Sequence, residues 1–554
     1  MNRISSFSIA RNPHMSWCEG VRKVRARSCG QRFRVTCAVV LMTCCSKVFT
    51  SFVGPTAGSI TRKPLTGATP KVALKAEDDR DWREFRAKLV MAEKAKETSD
   101  AGLDWDAALD AGDEAPSEWV YPSPIIEQGS ILLTVPGDHF WGGQHYFHKV
   151  VILIVSHDER FTRGVILNRP TAFNTSQVVN SVPVNDPWNV WCGGDCEGVR
   201  DMSHTTPAFS CLHMKPELAN VSREIISGLY ETNLETATAL NAVSKLGKDE
   251  FLLLAGYCGW GAGQLQRELD RGETWAMVAA SREVVIGNLQ EKQASLTTRL
   301  AERGNVRPTV DVVGDGIDSW KALYSLVGPS QSKEVEEGDG QESAEHVDNM
   351  LRLWIDRHLL PRETPVYESD KPFPRGSPVT ILRASPTAWV LGDPPYLSPR
   401  AQREIRDRYY GPVFMHKAVL CLLPQEQNDT EVLILLNGPI LTSIEGVPGD
   451  VTFGGPLQIA EKSVLQMNLA GVESALLVSG VIVLSDETLQ ECVRSGALSV
   501  VEDVALDKLS EPSSSTEKWL LAGGKLDTVE DAKVALLGDE QRRMWFKRML
   551  NIDA

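Results

Sequence analysis

The sharpest chemical motif in the sequence is the glycine-rich stretch Gly256–Leu265, which reads GYCGWGAGQL. It follows an apolar run and precedes a predicted helix, so its backbone N–H groups could face an anion. It lacks the lysine and hydroxyl of a P-loop and the spacing of a dinucleotide fingerprint. The alternative is close packing between strand and helix, with Trp260 in the core.

Two other stretches could complete a binding groove with this motif, namely the Gly193-Gly194 pair and the segment around Arg169. Arg169 lies in an Asn-Arg-Pro sequence, and a guanidinium can bind a carboxylate or phosphate through two hydrogen bonds. The alternative for Arg169 is an ion pair within the protein. The candidate ligand-binding residues are Asn168, Arg169, Gly193, Gly194, Gly256, Trp260, Gly261, Gly263 and Gln264.

Three cysteines lie in or beside the same motifs. Cys192 and Cys196 flank a Gly-Gly-Asp sequence, and Cys258 lies within the glycine-rich stretch. A thiol near a helix-opening turn can have a lowered pKa and act as a redox sensor. The alternative is that all three are small buried apolar groups. The six cysteines beyond residue 76 show no disulfide framework, which favours a reducing compartment.

The histidines form no recognisable catalytic or metal-binding pattern. His157 and Asp158 fall at a predicted hairpin tip, where Asp158 can bond nearby backbone, and no nucleophile motif accompanies them. His148 and His416 each precede a buried strand, which is typical of structural hydrogen bonding. The spacing of His139, His145, His148, Cys192 and Cys196 matches no standard zinc framework. The sequence therefore predicts no catalytic residue, no metal and no cofactor.

Short strands and helices must position these groups. Between Phe147 and Pro170 the sequence is FHKVVILIVSHDERFTRGVILNRP, with apolar runs at Val150–Val155 and Gly164–Leu167. Such runs around a polar break predict a hairpin of buried strands. Strands alternate with helices farther along the chain, which predicts an α/β layered fold.

The hairpin unit recurs at Met415–Pro439, which reads MHKAVLCLLPQEQNDTEVLILLNGP. Further matched stretches are GSILLTVPG with GSPVTILRA, VWCGGDC with VTFGGPL, SGLYETNLETATALN with SGVIVLSDETLQECV, FLLLAGYCGW with KWLLAGGKL, and DSWKALYSLVG with RRMWFKRMLNID. Two copies indicate a domain duplication rather than a solenoid. The expected organisation is a leader at 1–76, a helix and acidic linker at 77–128, a first domain at 129–328, an acidic linker and helix at 329–375, and a degenerate second domain at 376–554.

Composition narrows the environment and the partners. The 554-residue chain has a net charge of −15, which opposes nonspecific attraction to nucleic acid. The sequence has no apolar run of about 20 residues, so we expect no membrane-spanning helix. Residues 1–76 combine a basic start, a short apolar core and an acid-free Ser/Thr/Lys region. This pattern resembles the bipartite leader of an algal secondary plastid and predicts the chloroplast stroma, with secretion or a mitochondrial presequence as alternatives.

Taken together, HKVVILIVSHDERFTRGVILNRP, CGGDCEG, SGLYET and GYCGWGAGQL resemble the YqgE/AlgH family. The resemblance covers residues 129–328 well and 376–554 weakly. It implies an α/β sandwich with mixed β-sheets and an unestablished activity; some bacterial members are labelled regulators, and plant relatives are plastid proteins. The second copy has Gly438 where the first has Arg169, and GGKLDTVEDA where the first has GYCGWGAGQL. We therefore expect any ligand site to lie in the first copy.

The leading hypothesis is a noncatalytic binding or regulatory module of the plastid, with a protein or small molecule as its partner. One alternative is a thiol-redox or small-molecule-processing enzyme that uses the same groove. Another is a transcriptional regulator, against which the acidic charge and the absence of a recognisable reader motif argue. The sequence names neither the ligand nor the oligomeric state.

Overall fold

In the computed structural model, the described residues are 82–97, 118–140, 143–178, 187–199, 207–243, 246–327, 341–362, 380–409, 411–423, 430–441, 450–457, 464–467, 476–502, 504, 506–511 and 513–552. All of them belong to one compact unit. The leader expected at 1–76 lies outside the described residues.

Strands and helices alternate along this unit. The strands are β1 Val120–Pro122, β2 Ile131–Thr134, β3 Val151–His157, β4 Phe161–Ile166, β5 Pro170–Asn174, β6 Asn189–Cys192, β7 Phe209–His213, β8 Arg223–Ile226, β9 Leu229–Thr232, β10 Leu252–Ala255, β11 Cys258–Gly261, β12 Trp275–Ala280, β13 Thr380–Ala384, β14 Val419–Leu423, β15 Thr430–Leu435, β16 Ile440–Leu441, β17 Val451–Phe453, β18 Val464–Met467, β19 Leu476–Ser479, β20 Ile482–Ser485 and β21 Leu498–Val501. The α-helices are α1 Trp82–Glu97, α2 Thr175–Val178, α3 Leu234–Val243, α4 Gln264–Arg271, α5 Asn288–Arg303, α6 Val310–Val313, α7 Ile317–Leu326, α8 Gln341–His358, α9 Pro399–Tyr409, α10 Asp486–Arg494, α11 Leu506–Ser510, α12 Ser515–Leu521 and α13 Val529–Leu550.

Two sheets form from the described residues before 328. The first is antiparallel, in the order β1-β12-β2-β3-β4-β11, and it contains the predicted hairpin of β3 and β4. The second has the order β5-β6-β10-β7-β9-β8, and it is mixed because β6 and β10 run parallel. Apolar side chains of both sheets, such as Leu153 and Leu254, share one core with Trp320 of α7. The expected α/β class with a mixed sheet is confirmed.

The strand order repeats in the C-terminal part. One described sheet has the order β20-β15-β14-β13-β21, and the other has the order β16-β17-β19-β18 with β17 and β19 parallel. In chain order, β13 to β15 take the places of β2 to β4, and β17 and β19 take those of β6 and β10. The predicted match of VTFGGPL with VWCGGDC agrees with this strand order, because VTFGGPL begins in β17 and VWCGGDC begins in β6.

Three of the matched stretches were paired wrongly. KWLLAGGKL begins in helix α12, so it does not correspond to FLLLAGYCGW, which begins in strand β10. The indole of Trp519 in α12 donates to the carbonyl of Ala384 over 2.9 Å, as that of Trp320 in α7 donates to Thr134 over 3.0 Å. Helix α12 therefore occupies the place of α7.

The C-terminal helix α13 occupies the place of α8, not that of α7. Asp539 of α13 contacts His416, as Asp348 of α8 contacts His148. Strand β20 likewise takes the place of β11 at the sheet edge, so SGVIVLSDE corresponds to AGYCGWGAG rather than to SGLYET. Helix α8, predicted to belong to the linker, is thus an integral part of the fold.

Helix α1 packs on the first antiparallel sheet. Arg83 donates to the carbonyl of Gln128 over 2.8 Å, and Ala87 packs against Trp119 and Tyr121. Helix α1 therefore covers part of this sheet. None of the helices in the part of the chain that the structure describes is long and apolar enough to cross a membrane.

The N- and C-terminal parts share a packed boundary built on α8. Trp354 of α8 donates to the carbonyl of Gly143 over 3.1 Å, and Arg357 donates to the carbonyl of Ala388 over 3.1 Å. Arg548 of α13 pairs with Asp138 at 2.9 Å. Helix α8 therefore bonds to both parts, and the two parts form one unit.

Candidate functional site

Arg169 is a buried structural clip rather than a ligand group. It is fully buried, and its guanidinium donates to the carbonyls of Tyr146 (3.1 Å), Asn168 (3.0 Å), Asp315 (3.0 Å) and His148. Burial lowers its pKa to about 10, which leaves it charged at neutral pH. Its hydrogen-bond acceptors are backbone oxygens, so the structure contradicts the predicted ligand role and shows carbonyl hydrogen bonds in place of the predicted ion pair.

Asn168 is also occupied by the backbone. Its carboxamide oxygen accepts from the N–H of Val151 at 2.9 Å, and its nitrogen donates to the carbonyls of Lys149 (2.9 Å) and Gly316 (2.8 Å). Gly316 has φ +74°, and a Cβ there would lie 1.8 Å from the backbone carbonyl oxygen of Asn168. The same three bonds recur at Asn437, with Val419, Lys417 and Ser515. Asn168 therefore joins two strands and a helix start.

Gly193, Gly194 and Gly256 form a close backbone crossing. A Cβ at Gly193 would lie 2.5 Å from the carbonyl oxygen of Gly256, and one at Gly194 would lie 2.1 Å from the carbonyl carbon of Tyr257. Gly256 has φ +83°, and its Cβ would meet the Gly194 oxygen at 2.6 Å. Because carbonyls already fill these approaches, the packing interpretation replaces the anion-binding one.

Four of the ten residues of the predicted glycine-rich turn form a strand. This strand, Cys258–Gly261, pairs with β4, and Trp260 within it is buried. The indole N–H groups of Trp260 (3.1 Å) and Trp275 (2.9 Å) both donate to one carboxylate oxygen of Glu268, whose other oxygen accepts from Gln264 at 3.0 Å. Glu268 was not predicted, although its spacing of four residues from Gln264 on a helix was an available signal.

The thiols do not form a reactive centre. Cys192 and Cys258 are buried, and burial, helped by the nearby Asp195 carboxylate, raises the pKa of Cys258 well above its ordinary value. A protonated, enclosed thiol is a poor nucleophile, so the redox role fails for Cys258. Cys196 is half-buried, and its backbone pairs with that of Tyr257 at the glycine crossing.

The two strand-start histidines make structural hydrogen bonds, as predicted, and the structure shows that their partners lie on helices. Asp348 accepts from the ring of His148 at 2.7 Å and from the ammonium of Lys149 at 2.6 Å. Asp539 makes the same contacts with His416 (3.1 Å) and Lys417 (2.6 Å). Burial lowers the pKa of both histidines in spite of these carboxylates. Among the described residues, no group of three or more His, Cys, Asp or Glu side chains is arranged to hold a metal ion.

The exposed parts of two predicted motifs converge at one open cleft of about 730 Å³. The tip of the β3–β4 hairpin supplies His157, Asp158 and Glu159, and the turn before α4 supplies Gly263. Two backbone N–H groups, of Arg160 (2.7 Å) and Phe161 (2.9 Å), bond Asp158 and hold its pKa below the ordinary value. The predicted hairpin-turn role of Asp158 is confirmed.

The floor of this hairpin cleft is apolar. It consists of Pro124, Ile125, Ile126 and Leu265, and Ile125 is 47% exposed. The His157 ring bonds the Thr162 hydroxyl at 2.7 Å through Nδ1. Ile125 lies outside every motif that was singled out in the sequence, because only the tertiary fold brings residues 124–126 beside the hairpin.

A second pocket of about 330 Å³ lies between α5 and α7. Its lining includes the apolar side chains of Val285, Leu289 and Leu323, together with Asn168. At its mouth the Lys292 ammonium donates to the Ser319 hydroxyl over 2.7 Å. Its size falls within the range of small-molecule sites.

Comparisons with known proteins match the first part of the chain. The AlgH-like family model matches residues 141–303. A UPF0301 protein of Chlorobium luteolum is 30% identical over 155 residues, which cover 28% of this chain and 76% of that protein. A UPF0301 protein of Chlorobium chlorochromatii is 29% identical over 154 residues, with coverage of 28% and 77%.

Two solved structures are also similar. The AlgH protein of Pseudomonas aeruginosa is 23% identical, covers 33% of this chain and 92% of its own, and gives a TM-score of 0.24. Protein DIP2367 of Corynebacterium diphtheriae is 18% identical, with coverage of 29% and 78% and a TM-score of 0.22. Such low TM-scores add nothing to the fold already described. The family model and the sequence relatives show that this chain belongs to the AlgH-like family, whose members with the name UPF0301 have no characterised function.

Proposed function

We propose that the chain is a noncatalytic binding module that holds a segment of a partner protein in the hairpin cleft. The observation that carries this proposal is the convergence of the exposed His157–Asp158 tip and the exposed Gly263 turn around an open isoleucine. By contrast, Asn168, Arg169 and the glycine crossing are committed to internal contacts. An exposed apolar floor with a polar rim is the usual composition of a protein contact surface.

The test is site-specific photocrosslinking in the full chain. A benzoylphenylalanine at Ile125 should capture a defined protein partner, whereas one at Val306, which is 62% exposed and lies three residues beyond the C-terminal end of α5, should not. Ile125→Glu, placed in a competing unlabelled chain, should fail to displace that partner. The proposal fails if both crosslinker positions capture the same proteins, or if the Ile125→Glu chain competes as well as the unaltered one.

A small-molecule binder is the second candidate, favoured by the pocket between α5 and α7. A thermal-shift screen tests it, because a ligand at 100 times its dissociation constant stabilises the folded state by about 2.7 kcal/mol. The exposed Ala322 lines this pocket, and Ala322→Trp should abolish a shift that arises there. A shift that survives this substitution would place the ligand elsewhere.

We further propose that the C-terminal part is a degenerate second copy of the AlgH-like domain with a structural role. The repeated strand order and the repeated bonds of Asn168 and Asn437 support this proposal. Among the described residues of the C-terminal part, the chain position of the 16-residue α5 is held by the five-residue helix α11, so the α5–α7 pocket belongs to the first part. If the two parts are copies, buried groups should be exchangeable between equivalent positions.

The chloroplast stroma is the proposed location. The support is the basic, apolar and then acid-free composition of residues 1–76. A fluorescent protein fused after residue 76 should enter the plastid of an alga with a secondary plastid. Secretion of the fusion, or its import into mitochondria, would refute the proposed location.

A further inference from the structure

The hairpin cleft has a one-sided charge. Its charged lining side chains are the carboxylates of Asp158 and Glu159, and Lys and Arg side chains are absent from its described lining. Arg160 and Arg267 stand nearby without lining the cleft: the charge of Arg160 helps to lower the pKa of Asp158, and a Cβ at Gly263 would lie 3.2 Å from the Arg267 guanidinium. Both acids are exposed at the hairpin tip, and Asp158 is fixed in place by its two backbone N–H bonds.

The charge stands directly beside an apolar contact surface. Ile125 is 47% exposed, Pro124 beside it is also exposed, and the buried Leu265 completes the apolar lining of the cleft. His157, at the start of the hairpin tip, is held by the hydrogen bond between its Nδ1 and the Thr162 hydroxyl. A partner that buries an apolar side chain on Ile125 therefore brings its neighbouring residues against two carboxylates.

We infer that the hairpin cleft selects a protein segment in which an apolar residue is flanked by Lys or Arg. This inference rests on the proposed function, and it adds the chemistry of the partner. Opposite charges at the rim of an interface favour encounter and reject acidic competitors. The net charge of −15 over the whole chain acts in the same direction.

The probe is a fluorescein-labelled octapeptide of alternating Lys and Leu, compared with the same peptide carrying Glu for each Lys. Fluorescence anisotropy with the full chain should show binding of the Lys peptide and weak or no binding of the Glu peptide. Asp158→Asn combined with Glu159→Gln should weaken binding of the Lys peptide about 2- to 30-fold, the range expected for loss of two exposed charge pairs. The affinity of the unaltered chain should also fall between 50 and 200 mM salt, since added salt screens exposed charges.

Two variants make the outcomes distinct. Glu291→Gln combined with Glu302→Gln removes the same charge from the exposed face of α5 and should leave the affinity unchanged. Ile125→Glu should abolish binding. If Ile125→Glu abolishes binding while the Asp158/Glu159 variant has no effect, the cleft is the site but the basic partner is wrong. If every variant binds the Lys peptide equally, both the cleft and the proposed function are refuted.

Discussion

Arg169 and Arg542 hold equivalent carbonyls from different positions in the chain, and we predict that one guanidinium can replace the other. Arg169 donates to the carbonyl of Asn168 from the adjacent loop position. In the C-terminal part that loop position is Gly438, and Arg542 of α13 donates to the carbonyl of Asn437 over 3.1 Å. Burial lowers the pKa of each arginine to about 10, so both guanidinium groups are charged.

The helix position that would receive the exchanged arginine is Leu351. Leu351 stands three residues after Asp348 in α8, as Arg542 stands three residues after Asp539 in α13, and the two aspartates anchor equivalent histidines. Leu351 is fully buried. An arginine there should reach the carbonyl of Asn168 once the guanidinium of residue 169 is gone.

The size of the effect follows from the bonds that are lost. Arg169→Ala leaves four carbonyls in a buried site without this donor, and because each unsatisfied buried acceptor costs about 1–3 kcal/mol, the free energy of unfolding should fall by about 3–5 kcal/mol. Leu351→Arg alone should also destabilise, because it adds a second buried charge beside the first. In the double variant the new guanidinium has a vacated partner, so the two losses should be less than additive by about 1–2 kcal/mol.

This coupling is measured by urea-induced unfolding, followed by tryptophan fluorescence, of the unaltered chain, the Arg169→Ala variant, the Leu351→Arg variant and the double variant. The dependence of the free energy on urea should stay the same in all four, which shows that the unfolding transition itself is unchanged. Arg542→Leu provides the matched case in the C-terminal part and should destabilise on its own. Losses that simply add, within about 0.5 kcal/mol, would refute the equivalence of the two guanidinium positions.

Three further predictions concern other buried groups. Burial lowers the pKa of His145 to about 3, so between pH 6.5 and 3 only the unfolded chain takes up a proton at this residue. The free energy of unfolding should therefore decrease as the pH is lowered, by up to about 1.4 kcal/mol per pH unit from this group. His145→Phe should flatten that slope in urea titrations at pH 7 and 5, and an unchanged slope would contradict the assignment. In the native chain iodoacetamide should modify Cys196 before the buried Cys258, as peptide mass spectrometry can show; equal rates would oppose the inert-thiol argument. Glu268→Leu leaves two indole N–H groups without their acceptor and should lower the free energy of unfolding by about 2 kcal/mol or more, whereas the exposed Glu302→Leu should have little effect in the same thermal melts.

Local sequence determined those hairpins and helix ends whose sequence pattern lies within a few consecutive residues. Two short apolar runs around a polar break specified the β3–β4 hairpin. Asn233 caps α3 through a 2.8 Å bond from the N–H of Thr236, a role that Asn commonly has just before a helix. The combined motifs also specified the family, because their order is retained even though each motif alone is common.

Patterns of four apolar residues did not determine whether a segment is a strand or a helix. KWLL and FLLL have the same apolar character, so periodicity could not separate helix α12 from strand β10. The capping box of Ser514 and Glu517 was the local signal that marks α12 as a helix. Matching the two halves by apolar similarity therefore misplaced three segments.

What the sequence by itself determined was the family, the fold class and the hairpin, since each depends on composition and spacing along the chain. Only the tertiary structure decided what the candidate site residues do. Arg169 faces four carbonyls from three separate segments, and the glycines at 193, 194 and 256 are required by a crossing between two strand ends. The residue types of a buried clip and of an anion site are the same, and the difference lies in which backbone groups the fold brings within hydrogen-bonding distance.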